Sequence, residues 1–140
     1  MSLTKETIAM IKQSSGLIEL NASKISENMY TLLFDLYPQH IEMFDNAPSN
    51  QHELLAETIS LYAVNIDNLA ILKPVLEKIS RTHENMGVQE KHYAHVLEVM
   101  LLAFKNVLKD KATVPLLKAW EEAILFVSSI LIKMEKEPKN

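Results

Sequence analysis

The apolar positions of this chain recur at helical spacing almost from end to end. Ile8, Ile11, Ser15 and Ile18 fall on one face of a first helix, which Thr4 is placed to cap. Asn21 reads as the cap of a second helix with the stripe Ile25, Met29, Leu32, Leu33 and Leu36. Tyr37-Pro38 ends that helix, because the residue before a proline is pushed out of helical geometry. A short turn (38–43) and an irregular connection (45–49) follow. Asn50, with Glu53 three residues on, has the form of a capping box. It opens a helix whose inward set is Leu54, Leu55, Thr58, Ile59, Tyr62, Ile66 and Leu69. Pro74 suits the first turn of the next helix, on which Val75, Ile79 and His83 form one line, and Gly87 is placed to end it. A long helix over 89–109 carries Val96, Val99, Met100, Ala103 and Val107. Thr113 and Pro115 start the last one, with Leu116, Trp120, Ala123, Val127, Ile130 and Met134 inward. The charged tail from Glu135 is expected to fray.

Composition sharpens this picture. Average usage would place about ten glycines in such a chain, and only Gly16 and Gly87 are present. A β-sandwich or barrel needs many more tight-turn residues, so the expected fold is all-α. The same scarcity excludes glycine-rich phosphate loops. With no cysteine, disulfides, zinc–thiolate sites, iron–sulfur clusters and thiol catalysis are excluded. A length of 140 residues fits one domain, read as a single unit over 1–140 with no repeat. The net charge of −4 argues against nucleic-acid binding, which wants a basic face. The start of the chain has no signal-peptide pattern. Its most apolar stretch, 123–132, is half the ~20 residues a membrane span needs. A cytoplasmic protein without a membrane span is expected.

Five histidines are the first candidates for chemistry. His40, His52, His92 and His95 lie among polar neighbours or near helix starts, and read as solvent-exposed. His92 and His95, three apart, could share a metal, but no carboxylate completes such a site. His83 differs, because it continues the apolar line of Val75 and Ile79 and points where a core side chain would go. From the pattern alone it is either a core histidine bonded to a backbone carbonyl or a ligand. Glu121, Glu122 and Asp35 read as a solvated face, and no G-x-S-x-G turn offers a serine nucleophile.

Several segments follow one another in a telling order: Met29 to Phe34 with Tyr37-Pro38 and Met43-Phe44, then Asn50 to Leu55 and Tyr62 to Leu69. Ile79 to His83, Gly87-Val88, His92-Tyr93, Ala119-Trp120 and Glu135 continue the series, which covers nearly the whole chain. In this order and spacing they resemble the globins, specifically bacterial single-domain haemoglobins and the haem domain of flavohaemoglobins. The resemblance implies a globin fold, a three-over-three helical sandwich around haem b; 140 residues are expected to leave no room for a reductase domain. It implies His83 as the iron ligand, Phe44 packed on the porphyrin and Leu55 as the apolar residue above the iron. Tyr30 and Gln51 would hydrogen-bond bound oxygen from the other side. Tyr93 and Glu135 would be hydrogen-bond partners of His83, the carboxylate accepting the imidazole N–H and raising the ligand's basicity. The chain departs from the family at Ile124, where a tyrosine is common, and at Leu97, where a glycine is common.

The implied function is binding of O2, NO and CO, with oxidation of nitric oxide to nitrate by an electron from a separate reductase. The alternatives are an oxygen carrier serving a terminal oxidase, a haem-based gas sensor, or a haemless interaction module. Monomer and weak homodimer are both open.

Overall fold

The computed structural model describes residues 3–137, and among them the secondary structure is helical with no strand. The first helix, α1, runs unbroken over Lys5–Leu36 from a Thr4 cap whose hydroxyl accepts the Thr7 N–H. The expected boundary at Asn21 does not exist. Asn21 donates its side-chain amide to the Leu17 carbonyl one turn back, 2.9 Å away, and stays inside the helix. The buried stripe Ile11, Ile18, Ile25, Met29 and Leu33 continues through that point without a change of phase, so a break would have exposed core residues. At the far end the chain leaves the helix at Tyr37, as Pro38 requires.

A four-residue helix, α2 (His40–Met43), and a 3-10 turn (Phe44–Asn46) lead to α3 (Gln51–Val64). The Asn50 capping box does not form, since the Asn50 side chain makes no cap hydrogen bond. The Gln51 N–H is held instead by the Pro48 carbonyl at 3.1 Å, so the preceding turn starts the helix. α3 ends five residues before Leu69, yet Ile66 remains buried from the connecting segment. After a 3-10 turn (Leu69–Leu72), α4 (Lys73–Met86) begins with Pro74 in its first turn. It stops at Gly87, whose φ of +77° is the left-handed geometry that glycine adopts without a Cβ penalty. In α5 (Glu90–Leu108) the cap is reciprocal. The Gln89 side chain accepts from the His92 backbone, and the Gln89 N–H donates to His92 Nδ1 at 2.9 Å.

The last helix, α6 (Val114–Lys136), is capped by Thr113 and continues through Glu135. That end does not fray: Lys136 pairs with Glu90 of α5 at 3.0 Å, and Glu135 is itself enclosed. Residues 138–140 of the expected tail lie outside the described part. α1 packs on α3, α5 and α6, and α6 also packs on α5 and α4. The main core is built from Ile18, Ile25, Leu33, Val99, Ala103 and Phe104, with Trp120 tilted against Phe104 at 4.9 Å. Glu122 is not simply solvated, as it accepts a hydrogen bond from the Thr7 hydroxyl of α1. No described helix is long and apolar enough to cross a membrane.

Candidate functional site

A cavity of about 300 Å³ lies among α1, the 38–46 segment, α3, α4 and the start of α5. That is within the range of small-molecule and cofactor pockets. Tyr30, Phe44, Gln51, Leu55, His83 and Tyr93 all line it, although they come from five different elements of the chain. Of the seven candidate site residues only Glu135 is off the cavity wall, and it stands behind His83 through Tyr93.

α4 supplies a whole helical face. Val75, Lys78, Ile79, Thr82 and His83 fall at i, i+3, i+4, i+7 and i+8, and all five border the cavity. Lys78 and Thr82 escape an apolar-pattern reading because only their neighbours are hydrophobic.

The hydrogen bonds around His83 fix its tautomer. The Tyr93 hydroxyl donates to Glu135 Oε2 at 2.7 Å, a carboxylate being the stronger acceptor. A phenol has one hydrogen, so toward His83 Nδ1, 3.0 Å away, Tyr93 can only accept. Nδ1 therefore carries the proton and Nε2 keeps its lone pair. Glu135 itself is 3.6 Å from Nδ1, beyond hydrogen-bond range. The expected direct His83–Glu135 bond is thus replaced by a relay through Tyr93. The three side chains are largely buried, with His83 and Glu135 only 24% and 15% exposed. Burial pushes the His83 proton affinity below the ordinary histidine range, against an opposing pull from Glu135. Burial and the Glu135 carboxylate together push the Tyr93 phenol well up, so it stays protonated.

On α1, Tyr30 makes edge contacts with Phe44 at 5.3 Å and a tilted contact with Phe34 at 6.0 Å. Burial pushes its phenol up to about 12, with Gln51 beside it working in the opposite direction. Its O–H is therefore a donor at every physiological pH. Gln51 Oε1 is buried and has no hydrogen-bond partner. Buried polar atoms of folded proteins are nearly always paired; the Tyr62 and Ser80 hydroxyls and the Trp120 N–H are unpaired as well, but of these four residues Gln51 is the one that borders the cavity, where its oxygen can accept from a polar guest. Leu55 and Phe44 supply apolar wall. A flat aromatic group with a metal that needs a neutral nitrogen ligand fits this donor set. His83 Nε2 offers the ligand, and Tyr30 and Gln51 offer groups for whatever the metal binds.

The histidines depart from expectation. His52 is exposed, but His40 is 2% and His92 9% exposed, and both border the cavity. Their burial comes from the meeting of α2 and α5, where His40 lies against His92 and bonds to His95, 55 residues on, which local polarity could not reveal.

The globin family model matches residues 27–131. This chain is a globin. It is 39% identical over 135 residues to a globin-like protein of Aquifex aeolicus (strain VF5), covering 96% of each chain. It is 38% identical to a flavohemoprotein of Xylella fastidiosa (strain Temecula1), covering 93% of this chain but 33% of that protein. The globin thus spans about a third of the flavohemoproteins it matches. Among solved structures it superposes on a bacterial globin from Campylobacter jejuni with a TM-score of 0.85 at 34% identity, covering 95% and 96%. An engineered carbene transferase from Rhodothermus marinus, provisionally named a nitric oxide dioxygenase, matches with a TM-score of 0.92 at 34% identity, covering 96% and 94%. The family is haem-binding, and the globin is related to flavohaemoglobin haem domains. Of its two departures, Ile124 packs into the main core, and Leu97 does not line the cavity.

Proposed function

We propose that this globin binds haem b through His83 Nε2, takes up O2, NO and CO, and turns nitric oxide into nitrate when a separate reductase supplies electrons. When bound, haem supplies an iron centre that holds diatomic gases and exchanges electrons. The observation that carries this reading is the His83–Tyr93–Glu135 relay. A carboxylate two bonds away keeps the Nδ1 proton hydrogen-bonded and makes Nε2 the more basic ligand. A more basic ligand favours the oxidised metal and redox chemistry over storage alone. Tyr30 supplies a protonated phenol for partial negative charge on a guest molecule, and Gln51 a second polar group. Phe44 and Leu55 supply apolar wall beside them. The overall reaction, NO plus O2 plus one electron giving nitrate, consumes an electron in every cycle. The globin fold binds the reactants but is no source of electrons, so the reading assigns that electron to a reductase.

The test is nitrate yield. The haem-loaded protein in aerated buffer, given repeated additions of nitric oxide and a flavin reductase with its nicotinamide donor, should form nitrate far beyond one equivalent per haem. A yield that stops at one equivalent with the reductase present contradicts the dioxygenase reading and favours an oxygen carrier.

A further inference from the structure

Three imidazoles meet at the foot of the cavity wall, and none has a role in the function proposed above. His40 Nε2 and His95 Nδ1 share a hydrogen bond at 2.9 Å. The His92 ring lies 5.0 Å from His40 and 6.4 Å from His95 between centroids. Tyr37, at the end of α1, stacks on His95 at 4.0 Å. A shared metal is disfavoured by tautomer. His92 Nδ1 accepts the Gln89 N–H, so its Nε2 carries the proton and has no lone pair to offer.

His40 is the sole buried residue of α2. It anchors a four-residue helix that could not stand alone, and that helix leads directly into the turn bearing Phe44. Phe44 in turn meets Tyr30 and Phe34 edge-on at 5.3 Å. One hydrogen-bonded histidine pair thus ties α2, and the turn that follows it, to α5, while Phe44 packs on α1.

We propose that the His40–His95 pair is a proton-operated latch: with the rings neutral it pins α2 and the Phe44 turn to α5, and when both are protonated it releases them. The neutral rings share one hydrogen between Nε2 and Nδ1. Once both rings are cationic, each facing nitrogen carries a hydrogen, and two donors 2.9 Å apart must separate. Nothing nearby neutralises the charge. Among the described residues no carboxylate lies within ion-pair reach of the three rings. Lys91 on α5 adds positive charge beside His92, and the Glu98 carboxylate is occupied by the Tyr37 hydroxyl at 2.6 Å. Glu42 of α2 is exposed. Burial and the neighbouring rings hold the proton affinity of His40 below the ordinary histidine value.

The sign follows from linkage. One added proton leaves a donor facing an acceptor and the pair closed; the second puts two donors face to face, so the closed segment resists it, whereas the open segment takes up both with the ordinary histidine affinity, near pH 6.5. Opening is therefore favoured as pH falls below about 6.5, by up to about tenfold per pH unit for that second proton. The latch is closed above that range.

The test is amide hydrogen exchange of residues 38–49 in the haem-loaded protein between pH 5 and 8, corrected for the intrinsic pH dependence of exchange. Wild type should lose protection in this segment below about pH 6.5 while α6 keeps its own. His40→Leu, an apolar anchor of similar size, should keep the segment closed across the range. His95→Gln should do the same, because it offers protonated His40 an acceptor that never gains a proton. If His40→Leu does not fold, His95→Gln carries the test. A wild-type segment whose protection does not change with pH overturns the latch. So does a pH profile that survives in the folded variants unchanged.

Discussion

Replacing Tyr30 with phenylalanine isolates one hydroxyl. The ring is held by Phe34 and Phe44, and Tyr30→Phe keeps both aromatic contacts and the cavity wall. What it removes is an O–H that burial keeps protonated, with the phenol pushed up to about 12. A hydrogen bond to a charged partner contributes ~1.5–3 kcal/mol, and bound oxygen carries partial negative charge whereas carbon monoxide carries little. At 1.4 kcal/mol per factor of ten, the oxygen dissociation rate should rise by about ten- to a hundredfold. The carbon monoxide rate should move much less. Stopped-flow replacement of oxygen by carbon monoxide, and of carbon monoxide by nitric oxide, measures both rates on one preparation. Equal acceleration for the two gases would refute the hydrogen-bond argument and leave Tyr30 a purely steric role. An unchanged oxygen rate would place the hydroxyl out of reach of the ligand.

Other outcomes follow from the same geometry. Glu135→Gln removes the charge at the end of the relay, so the iron–histidine stretching frequency of the ferrous protein should fall and the reduction potential should rise. Tyr93→Phe cuts the relay between His83 and Glu135 and should move both observables in the same direction, because the carboxylate at 3.6 Å cannot take over the Nδ1 proton without a shift. If Glu135→Gln changes both observables and Tyr93→Phe changes neither, the carboxylate acts on His83 directly. Gly87→Ala should cost about 1 kcal/mol in denaturant unfolding. A Cβ there meets nothing within 4 Å, so the whole cost is the left-handed backbone; no loss of stability would mean that the turn relaxes.

Much of this architecture is legible in the residues themselves, and the exceptions share a cause. Thr4 and Thr113 through a hydroxyl cap, and Pro38, Pro74 and Gly87 through their backbone geometry, act locally, so their positions mark helix ends whatever packs around them. The Val75–Ile79–His83 line is likewise local, since one helix face presents all three to the cavity. Asn21 misleads because the same amide that caps a helix can bond one turn back, and only the unbroken phase of the Ile11, Ile18 and Ile25 stripe distinguishes the two. The tail of α6 and the histidines mislead for a different reason. Glu135 is enclosed by Tyr93, 42 residues earlier, and His40 by His95, 55 residues later. No local pattern encodes such burial of polar groups. The globin resemblance implies Tyr93 and Glu135 as partners of His83, but the order of the relay depends on how α4, α5 and α6 pack.

The central claim is that His83 Nε2 holds the iron of a haem, and absorption spectroscopy of wild type and His83→Ala tests it most directly. Wild type reconstituted with haem should give a five-coordinate ferrous spectrum that shifts cleanly on adding oxygen or carbon monoxide. His83→Ala should lose tight haem binding, and added imidazole, entering the space vacated by the side chain, should restore a histidine-ligated spectrum. A variant that keeps the wild-type ferrous spectrum without imidazole would contradict the assignment and place the axial ligand elsewhere.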